Sequence, residues 1–292
     1  MKINKAKCYK VVEQITPPII LKVVKKASFY KLIKRKISGI SKPEFNPCWN
    51  IVSGGPLKGK NIFVDPSGGM QSDMIRGVYD DFVFDYLQTM NLVGKTIFDI
   101  GAHIGYSSMC FAELVGDSGT VVSFEPNIFN AERIEKNLDK NPELRKRVRL
   151  QKQAISNSTG KEEFIFSSNI ENGTSSGGFI ESADTFLRKN VYEDKLGFKR
   201  VLVDTVSLDD ILTTFDLRDM PSIIKIDIEG AEHLVFSGGK KFFETCKPLL
   251  LIEVHSIFNM FKIGEYLRDL DYKIELLKEE ADGRCFFVAS SI

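Results

Sequence analysis

The 292-residue sequence predicts an α/β fold, an open, Rossmann-like, mostly parallel sheet closed by a C-terminal antiparallel hairpin. Three observations carry that prediction. Residues 96–108, TIFDIGAHIGYSS, run from a β-prone stretch through Gly101 and Gly105 into a helical pattern with Cys110, Phe111, Leu114 and Val115 on one face. Apolar runs that end in or beside an acid recur at 120–125 (TVVSFE), 222–227 (SIIKID) and 249–254 (LLLIEV), each followed by a helical stretch. Two β-prone segments, 272–277 and 284–289, meet around the turn residues Ala281, Asp282 and Gly283.

Composition sets the class. With 43% hydrophobic and 27% charged residues the chain is globular rather than disordered. A net charge of +1 hides an asymmetry: residues 1–42 carry 12 Lys/Arg against one acid, Glu13, and the remaining 28 basic against 38 acidic residues leave a net of −10. The five cysteines are widely spaced, with no C-x-x-C pair, which argues against a zinc site and for free thiols in a reducing, cytoplasmic setting. No signal peptide and no run of the ~20 apolar residues needed to span a bilayer is expected.

Taken in order, residues 1–42 form a basic, mostly helical arm broken at Pro17-Pro18. Ile20, Val23, Val24 and Ala27 make an apolar stripe opposite Lys22, Lys25 and Lys26. That pattern suits either a peripheral contact with an anionic inner membrane surface or docking on the body or on a partner subunit. No aromatic–basic interleaving points to nucleic acid. Residues 43–95 are a loop-rich lead-in, with a short hairpin around 61–64, Trp49 expected to cap the core, and a helix at 80–90 expected beside the first strand of the sheet. Residues 96–292 form the main domain: strands at 96–100, 120–125, 148–154, 222–227 and 249–254, extended segments at 161–166 and 201–205, and a Ser/Gly/Asn-rich stretch at 167–200 that reads as a lid or substrate loop.

The glycine turn says which ligand the sheet holds. Dinucleotide sites use G-x-G-x-x-G to crowd backbone amides onto a pyrophosphate. Here the spacing is D-x-G-x-x-x-G, with Asp99 two residues before Gly101. An acid there suits a cationic ligand without phosphate, such as S-adenosylmethionine, although a plain glycine turn would look the same. Glu125 ends the second strand, 24 residues after Gly101, where a carboxylate can accept from both ribose hydroxyls of an adenosine. Asp227, Glu229 and Glu232 crowd the end of the fourth strand around Gly230. A helix dipole accounts for Glu229 and Glu232 but poorly for Asp227, for which Lys225 on the same strand face is a charge partner. Glu253 and His255 share a face at the end of the fifth strand, and all three histidines (His103, His233, His255) fall at this sheet edge. His255 is the one placed for proton transfer. Asp227, Glu229 and His255 also make a set that a hard metal could use, so metal-assisted deprotonation stays open, with no metal assigned.

Together TIFDIGAHIGYSS, VVSFEPN, QAIS, IIKIDIEGAE and LLIEVH resemble the FkbM-type methyltransferase family, over residues 70–288. The resemblance implies the seven-stranded class I methyltransferase sheet, whose last strand slips in antiparallel beside the fifth. It also implies S-adenosylmethionine as cofactor and O-methylation of a sugar hydroxyl on a small-molecule or glycan acceptor. By that resemblance Asp99, Gly101 and Gly105 flank the methionine end of the cofactor, and Ala102, His103 and Asp227 also belong to the cofactor site. Glu125 takes the ribose and Ala154 lies near the adenine. Asp227, Glu229, Glu253 and His255 are the catalytic candidates. Two other classes compete: an NAD-dependent oxidoreductase, against which the glycine spacing speaks, and a non-catalytic nucleoside-binding module, against which the acids at three strand ends speak. Base methylation is disfavoured, since Asp227-Ile228-Glu229-Gly230 stands where an Asn/Asp-Pro-Pro-aromatic run would be expected.

Overall fold

The computed structural model describes residues 46–67, 69–167, 178–180, 198–216, 220–279 and 284–292. The arm at 1–42, most of the 167–200 stretch and the turn at Ala281-Asp282-Gly283 lie outside the described residues.

Seven strands form the main sheet: β3 (Thr96–Ile100), β4 (Thr120–Phe124), β5 (Val148–Gln151), β10 (Ile223–Ile226), β11 (Leu249–Val254), β12 (Tyr272–Glu279) and β13 (Cys285–Ser291). Their spatial order is β12-β13-β11-β10-β3-β4-β5. Six run in the same direction, and only β13 runs the other way, antiparallel between β11 and β12, as the class I methyltransferase arrangement requires. β3 and β10 are buried along their whole length, so their sequences are continuous apolar runs rather than alternations.

Period-two alternation deals the strand residues to two layers. Ile97, Val121, Ile223, Leu251 and Val288 face one core, which they share with α2 (Asp81–Gln88) and α3 (Tyr106–Val115). Phe98, Val122, Ile224, Leu250 and Phe287 face the other, against α6 (Leu208–Thr214), α7 (Glu232–Ser237), α8 (Lys240–Cys246) and α9 (Ile257–Asp269). The remaining described helices are α1 (Gly69–Arg76), α4 (Ile128–Asp139) and α5 (Pro142–Arg145). Helix starts follow local chemistry: Asn127 caps α4 by accepting from the N–H of Phe129, and Ser256 caps α9 by accepting from that of Asn259.

Three expectations need correction. The third strand stops at Gln151, and β6 (Ala154–Ile155) leaves the main sheet to pair with β9 (Phe198–Val206). With β7 (Gly160–Ser167) and β8 (Phe179–Ile180) these form a second, four-stranded sheet in the order β6-β9-β7-β8, which the sequence pattern did not reveal. Helix α2 does not lie along the first strand. Its Phe82 meets Phe286 of β13 at 5.3 Å and its Phe84 meets Phe111 of α3 at 5.7 Å. Trp49, on β1 (Cys48–Ile51), is 38% exposed and sits edge-on to Phe63 of β2 (Asn61–Val64), outside the core. Lys136 lies over the Phe63 ring and beside Trp49, a cation–π cluster that keeps both rings at the surface.

Candidate active site

A cleft of about 910 Å³, counting its open mouth, crosses the carboxyl ends of the central strands. β4, β3, β10 and β11 are adjacent, so Glu125 after β4 and Glu253 on β11 stand three strand spacings apart, about 14 Å at ~4.8 Å each. Of the residues singled out above, Gly101, His103, Glu125, Ala154, Asp227, Glu229, Glu253 and His255 line it.

Asp99, Ala102 and Gly105 do not. Asp99 is the fourth residue of β3, so alternation turns it with Ile97 toward α3, where it is fully buried. Its Oδ2 accepts from Ser108 Oγ at 2.5 Å, and its Oδ1 lies 3.7 Å from Lys225 Nζ, its register neighbour on β10. Burial raises its pKa against the pull of Lys225. Gly105 is the N-cap of α3 at φ 86°, and a Cβ there would lie 3.2 Å from Ile134. Ala102 is buried, its N–H donating to the carbonyl of Phe124. Gly101, at φ 87°, has a packing reason of its own: a Cβ would fall 1.9 Å from the Asp227 carbonyl, so only glycine lets the ends of β3 and β10 come this close.

The β4 end is tied down by backbone. Glu125 Oε2 accepts from the N–H of His103 at 2.8 Å, and Oε1 from the N–H of Asn127 at 2.9 Å and the Asn130 amide at 3.3 Å. Burial pushes Glu125 up to about 7, against these hydrogen bonds, which favour the ionised form. His103 sits at φ 51° in the left-handed region, its Nε2 is buried without a partner, and burial lowers its pKa to about 4. Beyond Glu125 the wall turns apolar, with Ala154, Ile155, Phe164 and Ile180 from the second sheet and its approach.

The β10–β11 end is built from charge. Asp227 Oδ2 pairs with Lys225 Nζ at 3.1 Å, and Glu253 Oε1 with Arg284 Nη1 at 2.8 Å. His255 stands between them with a side chain only 2% exposed. Its Nε2 lies 3.7 Å from Asp227 Oδ1, 3.7 Å from Glu229 Oε2 and 3.8 Å from Glu253 Oε1. Its Nδ1 lies 2.7 Å from Glu232 Oε1. Glu232 already accepts from the Gly230 N–H at 2.8 Å and the Asn259 amide at 2.7 Å, so it is the acceptor and Nδ1 the donor. Burial lowers the His255 pKa, but Glu232 with Asp227 and Glu229 outweighs it and raises the group to about 9. Burial and Asp227 push Glu253 up to about 7. Lys225 is held protonated, its burial outweighed by Asp227, Asp99 and Asp80.

Glu232 is therefore more than an acid favoured by a helix dipole. It is fully buried at the first turn of α7 and fixes the ring of His255. Glu229 reaches the cleft from a backbone at φ 58°, a region costly for a side-chain-bearing residue and common where function overrides strain. His233 does not line the cleft; it donates to Asn259 Oδ1 at 2.7 Å. Sequence reading missed Tyr79 and Arg284, which line the cleft from the turn before α2 and from the start of β13. Only the folded hairpin brings Arg284 to Glu253, 31 residues away.

The sheet order with its antiparallel last strand, and an acid-rich cleft across the carboxyl ends of β4, β3, β10 and β11, define the class I methyltransferase fold. The methyltransferase FkbM domain matches residues 99–274, and the chain belongs to that family. No curated protein matches. Among solved structures it is similar to methyltransferase FkbM from Methylobacillus flagellatus KT, at 19% identity and a TM-score of 0.47, covering 69% of this chain and 45% of that one. The chain thus spans less than half the length of that relative. It is also similar to a putative rRNA-methylase from Clostridium thermocellum (13% identity, TM-score 0.46, 71% of this chain and 92% of that one). A SAM-dependent O-methyltransferase from Thermotoga maritima is a third (14% identity, TM-score 0.45, 80% and 74%).

Proposed function

We propose that the enzyme transfers the methyl group of S-adenosylmethionine to a sugar hydroxyl of a glycan, glycolipid or related metabolite. The observation that carries this reading is the contrast between the two ends of the cleft. At the β4 end, Glu125 can accept from a ribose diol while Ala154, Ile155, Phe164 and Ile180 offer apolar surface to an adenine. The buried, unpartnered Nε2 of half-buried His103 suits the polar methionine end, and Asp227 stands next along the sheet edge. These residues fit the cofactor.

At the β10–β11 end, Asp227, Glu229 and Glu253 are hydrogen-bond acceptors around His255, a lining that favours a ligand rich in O–H donors. A hydroxyl, unlike an amine, must also shed a proton to become a competent nucleophile, and this cluster offers places to hold it. When bound, S-adenosylmethionine supplies an electrophilic methyl on a sulfonium whose leaving thioether needs no protonation. With the cofactor bound, Asp227, Glu229 and Glu253 would orient an acceptor hydroxyl toward that methyl group, and the cluster would take the hydroxyl proton. Alignment supplies most of the acceleration, and a positioned proton acceptor adds typically ~10²–10⁴-fold.

Calorimetry on the full chain should give micromolar binding of S-adenosylmethionine and S-adenosylhomocysteine and none of NAD. A panel of glycans and glycolipids incubated with methyl-labelled donor should then yield an O-methyl sugar by mass spectrometry. Label on nitrogen or carbon, or NAD binding in place of the methyl donor, overturns the reading. The arm at 1–42 supports a peripheral role through its 12 basic residues. Its removal should abolish co-sedimentation with anionic vesicles, and unchanged sedimentation removes the membrane from the proposal.

A further inference from the structure

We propose that Asp227, Glu253 and His255 form a divalent-cation site at the acceptor end of the cleft, with Glu232 as its positioning carboxylate. The proposal rests on the methyltransferase reading and adds a component that the reading does not require. One ligand atom from each of the three residues lies within 4.8 Å of the other two. The decisive detail is what surrounds His255 Nε2. Carboxylate oxygens of Asp227, Glu229 and Glu253 stand at 3.7, 3.7 and 3.8 Å from it, beyond hydrogen-bond reach. A proton on Nε2 could satisfy one of these oxygens only by moving toward it and away from the others. With Nδ1 donating to Glu232, Nε2 is the ring atom left facing the three carboxylates, and whatever it carries, a proton or a metal ion, sits among them. A cation at the centre resolves the difficulty.

Size and charge agree. Cis donors on an octahedral shell lie ~1.4 bond lengths apart and trans donors two, so metal–oxygen distances of ~2.1–2.4 Å require separations of about 3.0–4.8 Å. The Nε2–oxygen spacings of 3.7, 3.7 and 3.8 Å lie a few tenths of an ångström above the cis range of about 3.0–3.4 Å, so the ligands draw inward by that much around an ion. A 2+ ion takes the place of the Nε2 proton, which is released on binding, and is then met by two carboxylates and a neutral imidazole; oxygen ligands with one histidine suit magnesium or manganese. The outer contacts agree with this. A metal-bound histidine characteristically gives its other N–H to a carboxylate, and here that carboxylate is fully buried and itself anchored by Gly230 and Asn259. Lys225 takes Asp227 Oδ2 and leaves Oδ1 turned to His255. Arg284 competes for Glu253.

His255 then acts as a ligand and not as the proton acceptor. A hydroxyl held beside the cation would pass its proton to Glu229, whose side chain, 29% exposed, is the most accessible of the four. The oxygen attacks the methyl carbon and sulfur leaves with the C–S electron pair, so the balance is that of the uncatalysed displacement.

The test is a titration of chelator-treated full-length protein with Mn²⁺, reading the loss of the free-ion electron paramagnetic resonance signal, with S-adenosylhomocysteine calorimetry run alongside. One site is expected, with Mg²⁺ competing. Asp227→Asn and Glu253→Gln should each weaken it at least ~10-fold, and Glu232→Gln by ~10–100-fold. Arg284→Ala should tighten it, because a competing cation is gone; a fold damaged by substitution could only weaken it. Protein that binds S-adenosylhomocysteine but leaves the Mn²⁺ signal intact at millimolar concentration rules out the cation site alone. Mn²⁺ binding unaffected by Asp227→Asn and Glu253→Gln overturns it as well. Protein that binds neither ligand overturns both readings.

Discussion

The two ends of the cleft solve opposite problems. At the β4 end a single acid, Glu125, is held by two backbone N–H groups and an amide, all from residues within 22 positions of it. At the β10–β11 end, Asp227, Glu229, Glu232, Glu253, His255, Lys225 and Arg284 neutralise one another across segments that meet only in the folded sheet. Hydrogen bonds from the backbone fix a charge in place at little risk, because the donors cannot titrate or leave. A network of opposed side-chain charges depends on every member, and removing one leaves its partners buried and uncompensated. The first end is thus suited to hold a ligand of fixed shape, and the second to respond to charge and proton movement.

The largest effect should come from breaking the charged end without touching the other. Glu253→Gln keeps the shape but removes an acceptor charge, and should lower methyl transfer by ~10²–10⁴-fold. S-adenosylhomocysteine affinity should stay within about threefold. A parallel loss of cofactor affinity would show that the two ends are not separable.

The converse substitution, Glu125→Ala, removes charge-assisted hydrogen bonds worth roughly 1.5–3 kcal/mol. Cofactor affinity should fall about 10–100-fold while turnover at saturating cofactor falls far less. Equal losses in both would assign Glu125 to the chemistry instead.

A smaller effect follows from the pKa of Glu125, about 7 in the folded protein. Ribose hydroxyls donate, so the ionised carboxylate binds them better, and affinity for S-adenosylhomocysteine should rise roughly tenfold from pH 6 to 8 with a proton released on binding. The sign for stability is the reverse. A folded pKa raised above the ordinary glutamate value means that the folded state holds the proton more tightly. Its contribution is fully present below that ordinary value and is lost as pH rises through 7. Thermal melts of wild type and Glu125→Gln across this window should diverge in that direction, and parallel melts would contradict the assigned titration.

The smallest change is expected far from both ends. Trp49→Ala, at an exposed ring beside Phe63 and Lys136, should cost no more than about 1 kcal/mol and leave cofactor affinity unchanged. A loss of binding would mean that the β1–β2 hairpin supports the cleft.

Much of this was legible in the chain. Continuous apolar runs are enough to predict buried parallel strands, and the two final β-prone segments an antiparallel pair, because both are local patterns with a fixed period; the insertion of β13 beside β11 was implied by the family resemblance. Glu125 could be placed because the acid ends its strand at a set distance from the glycine turn. Asp99 could not. The strand's alternation turns it beneath α3, and the acid that looked exposed to a ligand is instead paired with Ser108 and Lys225. The second sheet was hidden because β6 is two residues long and its partner β9 lies far along the chain.

What the sequence by itself determined is the layered sheet, its carboxyl edge and the acids that crowd that edge. Periodicity and strand-end position are properties of neighbouring residues. Only the tertiary structure decided which charges neutralise which. The Lys225–Asp227 pair, two apart on one strand, was legible, but that Lys225 also serves Asp99, that Arg284 reaches Glu253 from the last strand and that Glu232 turns inward to hold His255 was not. Electrostatic partners are chosen by distance in space and by burial, and neither is written into the spacing of residues along a chain.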